Sequence, residues 1–343
     1  MKDRDARPAK AVEFDPMRLD NFLRSLISVP ESVMHLQRVE GGQSNPTFFV
    51  NYGHLRLVLR KQPAGQLLPS AHAIDREFRI QKALAQTDVP VPEMMFYCED
   101  REIIGTPFYV MKRVEGRVYP QCQLSDAPIR DRKPMYRAFA QTLGKLHNIA
   151  PASIGLADYG KRGDYYSRQV ARWSKQWALS QTRDDSNVEL LIDWLPGNIP
   201  PDQITTIAHG DYRIGNVIFE KLDVAAVLDW ELSSLGHPLA DLAHSCIAWQ
   251  SRPEDYGGLK GCNLAELGIP EQKQYEEWYY EAAQHQLRMT SFHMVFALFR
   301  FAVIFEGIAA RAKVGNAAGS DTSTAPRISR CLAQYAVDLL DRG

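Results

Sequence analysis

Two short polar segments, each joined to an apolar run of β-forming residues, constrain the fold of this chain most. The first runs from His209 to Phe219 and the second from Val224 to Glu231. Only four residues separate them, so the pattern predicts a β-hairpin that turns near residue 222. Such a hairpin would bring together three oxygen-bearing side chains, those of Asp211, Asn216 and Asp229.

A carboxylate, a carboxamide five residues later and a second carboxylate beyond the next strand form a set of oxygen ligands. Mg²⁺ prefers oxygen ligands, and it commonly shares them with substrate phosphates. Phosphoryl transfer needs such a metal site and a residue that orients the attacking hydroxyl. Protein kinases supply both with H-R-D-x-x-x-x-N followed by D-F-G. Here His209-Gly210-Asp211, Asn216 and Asp229-Trp230-Glu231 have the matching order, and the D-x-x-x-x-N spacing is identical.

Hydrophobic periodicity changes along the chain and predicts an α+β fold with two lobes. Residues 1–15 are predicted to be a flexible tail, 16–113 a small lobe with an antiparallel nucleotide-binding sheet, and 114–343 a mainly helical lobe. In the first lobe we predict helices at Leu19–Ile27 and Ala71–Gln86 and strands at Leu36–Val39, Pro46–Tyr52, Leu55–Arg60, Met94–Cys98 and Thr106–Arg113. In the second lobe we predict helices at Lys133–Ile149, Tyr165–Leu179, Val188–Leu195, Ala240–Trp249, Glu271–Thr290, Phe292–Lys313 and Ala325–Leu340.

Composition limits the classes of partner. The formal net charge is −1, which gives no general attraction to nucleic acid or to anionic membranes. The five cysteines are widely scattered, which is typical of reduced thiols in a cytoplasmic protein. The charged N-terminus does not read as a signal peptide. Residues 292–308 come closest to a membrane span, but polar residues interrupt them, and a buried amphipathic helix is the better interpretation. We therefore expect a cytoplasmic protein without nucleic-acid or membrane partners; the oligomeric state stays open.

The double motif resembles that of the aminoglycoside phosphotransferase superfamily, whose hallmark is H-G-D, then Asn, then I/L-D-W/F. Choline and homoserine kinases share this plan, and residues 236–243 resemble the family segment G-x-P-x-x-D-L-A. The resemblance covers roughly residues 30–340 and implies a two-lobed protein-kinase-like fold that uses ATP and Mg²⁺. It further implies roles for five residues: Asp211 as the base for the substrate hydroxyl, Asn216 and Asp229 as Mg²⁺ ligands, and Asp241 and His209 as supports of the loop.

The resemblance also implies a nucleotide site in the first lobe. A turn at residues 41–45 would bind phosphates through Gly42, Ser44 and Asn45, although the same glycines could mark a plain hairpin turn. Arg60 occupies the position where kinase-like folds place a Lys, and a register shift of one residue would put Lys61 there instead. Helix residue Glu77 is the natural partner of this cation, or else a solvated surface charge. Further along, Val58, Met111 and Arg113 would contact the adenine.

Basic and aromatic residues of the second lobe suggest the substrate side. Arg300 and Arg311 share one face of an apolar helix, and Trp173 belongs to an aromatic and basic helix. A buried Arg needs a partner, which could be an anionic ligand or a carboxylate from another helix.

Residues 57–60, 63–72 and 76–78 resemble the kinase-like domains joined to acyl-CoA dehydrogenases, which implies a hydroxyacyl-CoA as acceptor. The alternatives are an aminoglycoside, choline, homoserine or sugar kinase, and a nucleotide-binding scaffold without catalysis.

Overall fold

The computed structural model describes residues 13–39, 45–65, 73–202, 204–313 and 323–340. Two predicted phosphate contacts, Gly42 and Ser44, lie outside these described residues. The chain divides into two compact units: unit 1 comprises the described residues of Met1–Gln86 and Val91–Val114, and unit 2 those of Thr87–Pro90 and Glu115–Gly343.

Unit 1 is built around an antiparallel sheet of five strands in the order β1-β2-β3-β5-β4. The strands are β1 (His35–Arg38), β2 (Thr47–Tyr52), β3 (Leu55–Lys61), β4 (Met94–Cys98) and β5 (Phe108–Lys112). Its helices are α1 (Pro16–Leu26), α2 (Ile74–Leu84) and the short α3 (Arg101–Ile104). The predicted order of helix, three strands, helix and two strands is therefore correct, and α3 is an additional short helix between β4 and β5.

The two faces of strand β3 lie in different apolar clusters, as the period of two in a strand requires. Leu57 and Leu59 pack in a cluster that includes Leu19 and Leu23 of α1. Val58 instead packs with Ile74 of α2 and with Tyr109 and Met111 of β5. Alternate residues of β3 therefore face opposite helices, and this alternation decides which cation of the strand meets α2.

Unit 2 contains nine helices and two small two-stranded sheets among its described residues. Strand β6 (Thr206–Ala208) pairs with β9 (Ser234–Gly236), and β7 (Val217–Glu220) forms the predicted hairpin with β8 (Asp223–Val227). The helices are α4 (Ile129–His147), α5 (Tyr165–Ser180), α6 (Ser186–Trp194), α7 (Pro238–Gln250), α8 (Pro253–Tyr256), α9 (Leu264–Leu267), α10 (Gln272–Ala282), α11 (Ser291–Lys313) and α12 (Ala325–Leu340). The α+β expectation is confirmed.

Helix α11 forms the centre of unit 2, where it contacts α12, α7 and α5. Among the described residues it is the one helix that is long and apolar enough to cross a membrane. However, 78% of its most apolar 18-residue stretch is buried inside the protein. Packing against other helices therefore accounts for its apolar composition.

Helix α10 ends eight residues earlier than the sequence pattern predicts. The helix stops at Ala282, and Ala283 has an extended backbone. Asn148 explains this end, because its side-chain amide donates to the carbonyl of Ala282 at 2.8 Å and accepts the N–H of Gln284 at 2.7 Å. A side chain distant in sequence thus binds the backbone groups that another helical turn would have used.

Candidate active site

Strand β6 leads directly into the loop 209–216, which carries the first polar motif. Its second residue, Gly210, has a φ of +85°, and a Cβ there would lie 2.6 Å from the carbonyl oxygen of Leu232. Both the left-handed backbone and the close approach favour glycine over any other residue.

The carboxylate of Asp241 binds the backbone of this loop from helix α7. Its Oδ2 accepts the N–H of His209 at 2.6 Å and its Oδ1 accepts the N–H of Gly210 at 2.8 Å. On the other side, His147 Nε2 lies 3.4 Å from Oδ2. Burial alone would raise the pKa of Asp241, but the hydrogen bond and charge of His147, with smaller effects from His209 and Gly210, hold it below the ordinary value. The ionised carboxylate therefore fixes the start of the loop.

His209 is fully buried and ties the loop to the segment that carries the second motif. Its Nδ1 accepts the N–H of Asp211 at 3.2 Å, and its Nε2 lies 2.8 Å from the carbonyl oxygen of Leu228. Because a carbonyl can only accept, Nε2 carries the ring proton. One imidazole ring therefore connects both motifs.

Asp211 and Asn216 lie together, as predicted, but they meet within the loop that precedes the hairpin. The side-chain nitrogen of Asn216 donates to Asp211 Oδ2 at 2.7 Å and to the backbone carbonyl of Asp211 at 2.9 Å. The backbone carbonyl of Asn216 accepts the N–H of Leu228 at 2.8 Å, which places the next residue, Asp229, at the end of the same hairpin. Asp229 has a left-handed backbone with a φ of 63°, a conformation that is strained for a residue with a side chain.

The donor set of these residues fits a magnesium ion. Asn216 directs its amide nitrogen toward Asp211, so the oxygen of that amide, Oδ1, is the atom left to act as a ligand. Asp229 adds carboxylate oxygens. Among the described residues, no group of three or more His, Cys, Asp or Glu side chains could hold a metal ion. Mg²⁺ prefers oxygen ligands and takes some of them from phosphates and water, so the oxygens of Asn216 and Asp229 suit it.

Two side-chain nitrogens that sequence reasoning missed contact the carboxylate of Asp211. His244 Nε2 lies 3.0 Å from Oδ1, and Arg213 Nε lies 3.2 Å from Oδ2. Burial raises the pKa of Asp211, but the hydrogen bond from His244 and the electrostatic effects of His244, Arg213 and His209 outweigh burial and lower it strongly. His244 follows Asp241 by three residues on α7, so helical spacing from the G-x-P-x-x-D-L-A segment could have revealed it.

A cavity of about 200 Å³ lies beside these partners of Asp211. Arg213 and His244 line it together with apolar and aromatic side chains such as Ile247, Tyr256 and Phe301. None of its lining residues is Asp or Glu. The cavity is thus largely apolar, with Arg213 and His244 at the Asp211 side.

The predicted substrate residues lie in different surroundings. Arg300 Nη2 donates to the carbonyl of Gly210 at 2.9 Å, and its guanidinium lies 5.5 Å from the ring centre of Trp173. Arg300 therefore contacts the loop directly, and it donates to a backbone carbonyl rather than to a carboxylate. Arg311, further along α11, is exposed. The buried acid of this helix, Glu306, instead forms an ion pair with Arg183.

In unit 1 the structure decides between the two neighbouring cations of β3. Arg60 Nε lies 2.8 Å from Glu77 Oε2, whereas Lys61 Nζ points to the opposite face and lies 3.4 Å from Glu13 Oε2. Glu77 is 1% exposed and also accepts hydrogen bonds from Asn45 and Tyr109. The alternative of a solvated surface charge at Glu77 is therefore wrong.

The remaining predicted nucleotide contacts of unit 1 lie on or beside the central strands. Val58 and Met111 are opposite each other on β3 and β5 and share the apolar cluster under α2. The guanidinium of Arg113 lies 4.0 Å from the ring centre of Phe49. Their roles toward a nucleotide stay predictions.

The sequence profile of the phosphotransferase enzyme family matches residues 35–284. Among curated proteins, acyl-CoA dehydrogenase family member 10 of Mus musculus is 40% identical over 342 residues, which is 98% of this chain and 32% of that protein. Acyl-CoA dehydrogenase family member 11 of Homo sapiens is 35% identical over 340 residues, 96% of this chain and 44% of that protein. The chain thus spans less than half the length of these relatives.

Solved structures agree with this similarity. A Ralstonia eutropha protein provisionally named an aminoglycoside phosphotransferase is 35% identical with a TM-score of 0.87, covering 96% of this chain and 99% of that one. Choline kinase from Cryptosporidium parvum is 15% identical with a TM-score of 0.64, covering 96% and 97% of the two chains, and indicates the fold alone. The expected two-lobed kinase-like fold and the resemblance to kinase-like domains of acyl-CoA dehydrogenase proteins are both confirmed.

Proposed function

Because the chain belongs to the phosphotransferase enzyme family, we propose that it is a small-molecule kinase that transfers the γ-phosphoryl group of ATP to an alcohol, with Mg²⁺. The observation that carries the proposal is the contact between Asn216 Nδ2 and Asp211 Oδ2 at 2.7 Å, in a loop whose backbone is bound by Asp241. A carboxylate held in this way is ionised, oriented and close to metal ligands, which suits a base in phosphoryl transfer.

In the proposed reaction the acceptor hydroxyl gives its proton to Asp211 while its oxygen bonds to the γ-phosphorus. The bond between that phosphorus and the bridging oxygen breaks, and its electron pair leaves with ADP. Asn216 and Asp229 would hold Mg²⁺, which neutralises charge on the phosphates. Asp241 and His209 keep the loop in place. In unit 1, Arg60, oriented by Glu77, would bind nucleotide phosphates, because a guanidinium can hold them with two parallel hydrogen bonds.

For the acceptor we propose a hydroxyacyl-CoA. The curated relatives that match 96–98% of the chain are named as members of the acyl-CoA dehydrogenase family, and that name points to acyl-CoA compounds. The cavity beside Asp211 is apolar and has no acidic lining, which suits an acyl chain better than a polycationic aminoglycoside. Arg300 and the exposed Arg311 add positive charge that would favour the phosphates of CoA.

A panel of acceptors tests the proposal through release of ADP, with phosphate-ester formation followed by ³¹P NMR. It should contain hydroxyacyl-CoAs that differ in chain length and hydroxyl position, the matching acyl-CoAs without a hydroxyl, and choline, homoserine and kanamycin. We expect transfer only to the hydroxyacyl-CoAs. Transfer to kanamycin or choline alone would refute the acceptor class. Binding of Mg-ATP without transfer to any alcohol would favour a nucleotide-binding scaffold.

A further inference from the structure

The two oxygens of the Asp211 carboxylate are not equivalent. Oδ2 receives two hydrogen bonds, from Asn216 Nδ2 at 2.7 Å and from Arg213 Nε at 3.2 Å. Oδ1 is contacted by His244 Nε2 at 3.0 Å and by no other donor among the described residues. A carboxylate oxygen has about two lone-pair positions, so Oδ2 is fully used and Oδ1 keeps one position for a further donor.

His244 is well placed to fix this arrangement. Its side chain is only 4% exposed, and its ring packs edge-to-face on Phe301 of α11 with the centroids 4.8 Å apart. His244 also lies on the same helix as Asp241, three residues after it, and Asp241 binds the loop backbone. One helix therefore sets both the backbone of the loop and the side chain of its aspartate.

We propose that His244 is the positioning residue of Asp211, and that Oδ1 is the oxygen that accepts the proton of the acceptor hydroxyl. This inference rests on the proposed function. The ionised carboxylate can only accept, so Nε2 of His244 must donate, whether the ring is neutral or charged. Because His244 occupies one lone pair of Oδ1, the direction from which a second donor can approach this oxygen is fixed. His244 also lines the cavity beside Asp211. The acceptor hydroxyl would approach Oδ1 from this cavity.

In the step assigned to Oδ1, the proton passes from the hydroxyl to Oδ1 as the new bond from oxygen to the γ-phosphorus forms. The bond from that phosphorus to ADP breaks at the same time. His244 keeps its proton throughout and exchanges none with the substrate. Its contribution is orientation, and misplacing a reacting group by about 1 Å costs a rate factor on the order of 100-fold.

The test compares His244→Leu, which removes the donor, with His244→Gln, whose amide nitrogen can replace Nε2. ADP release is measured with 3-hydroxybutyryl-CoA and with the acceptor that reacts fastest in the panel. We expect kcat to fall about 100-fold in His244→Leu with the KM for ATP unchanged, and His244→Gln to recover most of the rate. The matched control is His293→Leu, because His293 is equally buried but bonds to Thr290 rather than to Asp211. It should keep the wild-type kcat.

A second measurement needs no turnover. In protein labelled with ¹⁵N-histidine, the ring of His244 should show a protonated Nε2 whose signal shifts in Asp211→Asn and not in His293→Leu. An unshifted signal, or a His244→Leu enzyme as fast as the wild type, overturns the proposal. Equal loss of kcat in the Leu and Gln variants also overturns it, since the role would then be structural. If the wild type itself transfers phosphate to no alcohol, the proposed function fails. The histidine signal would still test the contact between His244 and Asp211, so the two failures can be told apart.

Discussion

Asp241 Oδ1 accepts the N–H of Gly210 at 2.8 Å, so a carboxylate on helix α7 fixes the backbone immediately before Asp211. The same carboxylate accepts a second N–H, from His209, and is itself 1% exposed. The position of the proposed base therefore depends on a helix that follows it by about thirty residues, and this dependence can be tested first.

Asp241→Asn should destabilise the protein and abolish turnover. An amide in place of the carboxylate turns an N–H group toward one of the two backbone donors, which leaves that buried donor unsatisfied. Breaking a buried charged contact of this kind costs about 3–5 kcal/mol. Urea unfolding measures the loss, and Asp338→Asn on helix α12 is the control, because Asp338 is part of an exposed contact with Gln334. Equal stability of both variants would contradict the bracing role.

The ionisation of Asp211 and Asp241 should make the stability of the protein depend on pH. The pKa values of Asp211 and Asp241 are lowered in the folded protein from the ordinary value of 3.8. A lowered folded pKa means that the charged form stabilises the fold above 3.8, and that this contribution is lost as the pH falls below it. The unfolding free energy of the wild type should therefore fall steeply below pH 4. In Asp241→Asn the fall should be shallower, as urea titrations between pH 2.5 and 6 would show.

Asp211→Asn should separate catalysis from nucleotide binding. The amide cannot accept the hydroxyl proton, so kcat should fall at least 100-fold, the range that general base catalysis supplies. The dissociation constant of Mg-ATP in calorimetry should stay within a few-fold of the wild-type value. A variant that keeps the full rate on the true acceptor would show that Asp211 is not the base.

Asp229→Ala should weaken nucleotide binding in a metal-dependent way. Loss of a carboxylate ligand should raise the dissociation constant of Mg-ATP by about 10- to 100-fold, comparable to the loss of other groups that support a metal site. Binding of ATP without Mg²⁺ should change little. If the affinity falls equally with and without Mg²⁺, the residue acts on the nucleotide or on the fold and not on the metal.

Arg60→Ala and Lys61→Ala form a matched pair of neighbouring cations. Arg60, paired with Glu77, should contact phosphate, so its loss should raise the dissociation constant of ATP by about 10-fold or more, as expected for a charge-assisted hydrogen bond. Lys61 pairs with Glu13 near the ring of Phe14, so its loss should affect stability alone. Thermal unfolding and ATP titration of both variants distinguish the two roles. A weaker ATP affinity in Lys61→Ala would reverse the assignment.

Much of the fold could be predicted because it depends on local sequence patterns. Alternating apolar residues located the strands of the sheet, and the spacing of apolar residues located most helices. The same alternation placed Val58 and Arg60 on one face of β3, as observed. In the candidate site, Asp211 and Asn216 meet within a single loop because the two residues are only five apart. The catalytic roles of these residues stay predictions.

Contacts between distant segments could not be predicted in this way. Helix α10 ends at Ala282 because Asn148 binds its last turn, and no local pattern near Ala282 contains that information. The partner of Arg300 is the carbonyl of Gly210, ninety residues earlier in the chain. Backbone carbonyls have no sequence signature. The positive charge of Arg300 therefore suggested an anionic ligand or a carboxylate as its partner instead.

The amino-acid sequence by itself determined the family, the fold class and the order of the polar groups in the loop, because these follow from short-range spacing and from residue types. Only the tertiary structure decided which side chains meet at Asp211. His244 reaches Oδ1 because α7 packs against the loop, and Arg60 rather than Lys61 meets Glu77 because α2 covers that face of β3. Hydrogen bonds and ion pairs act over about 3 Å, a distance that helix packing sets and that spacing along the chain leaves undetermined.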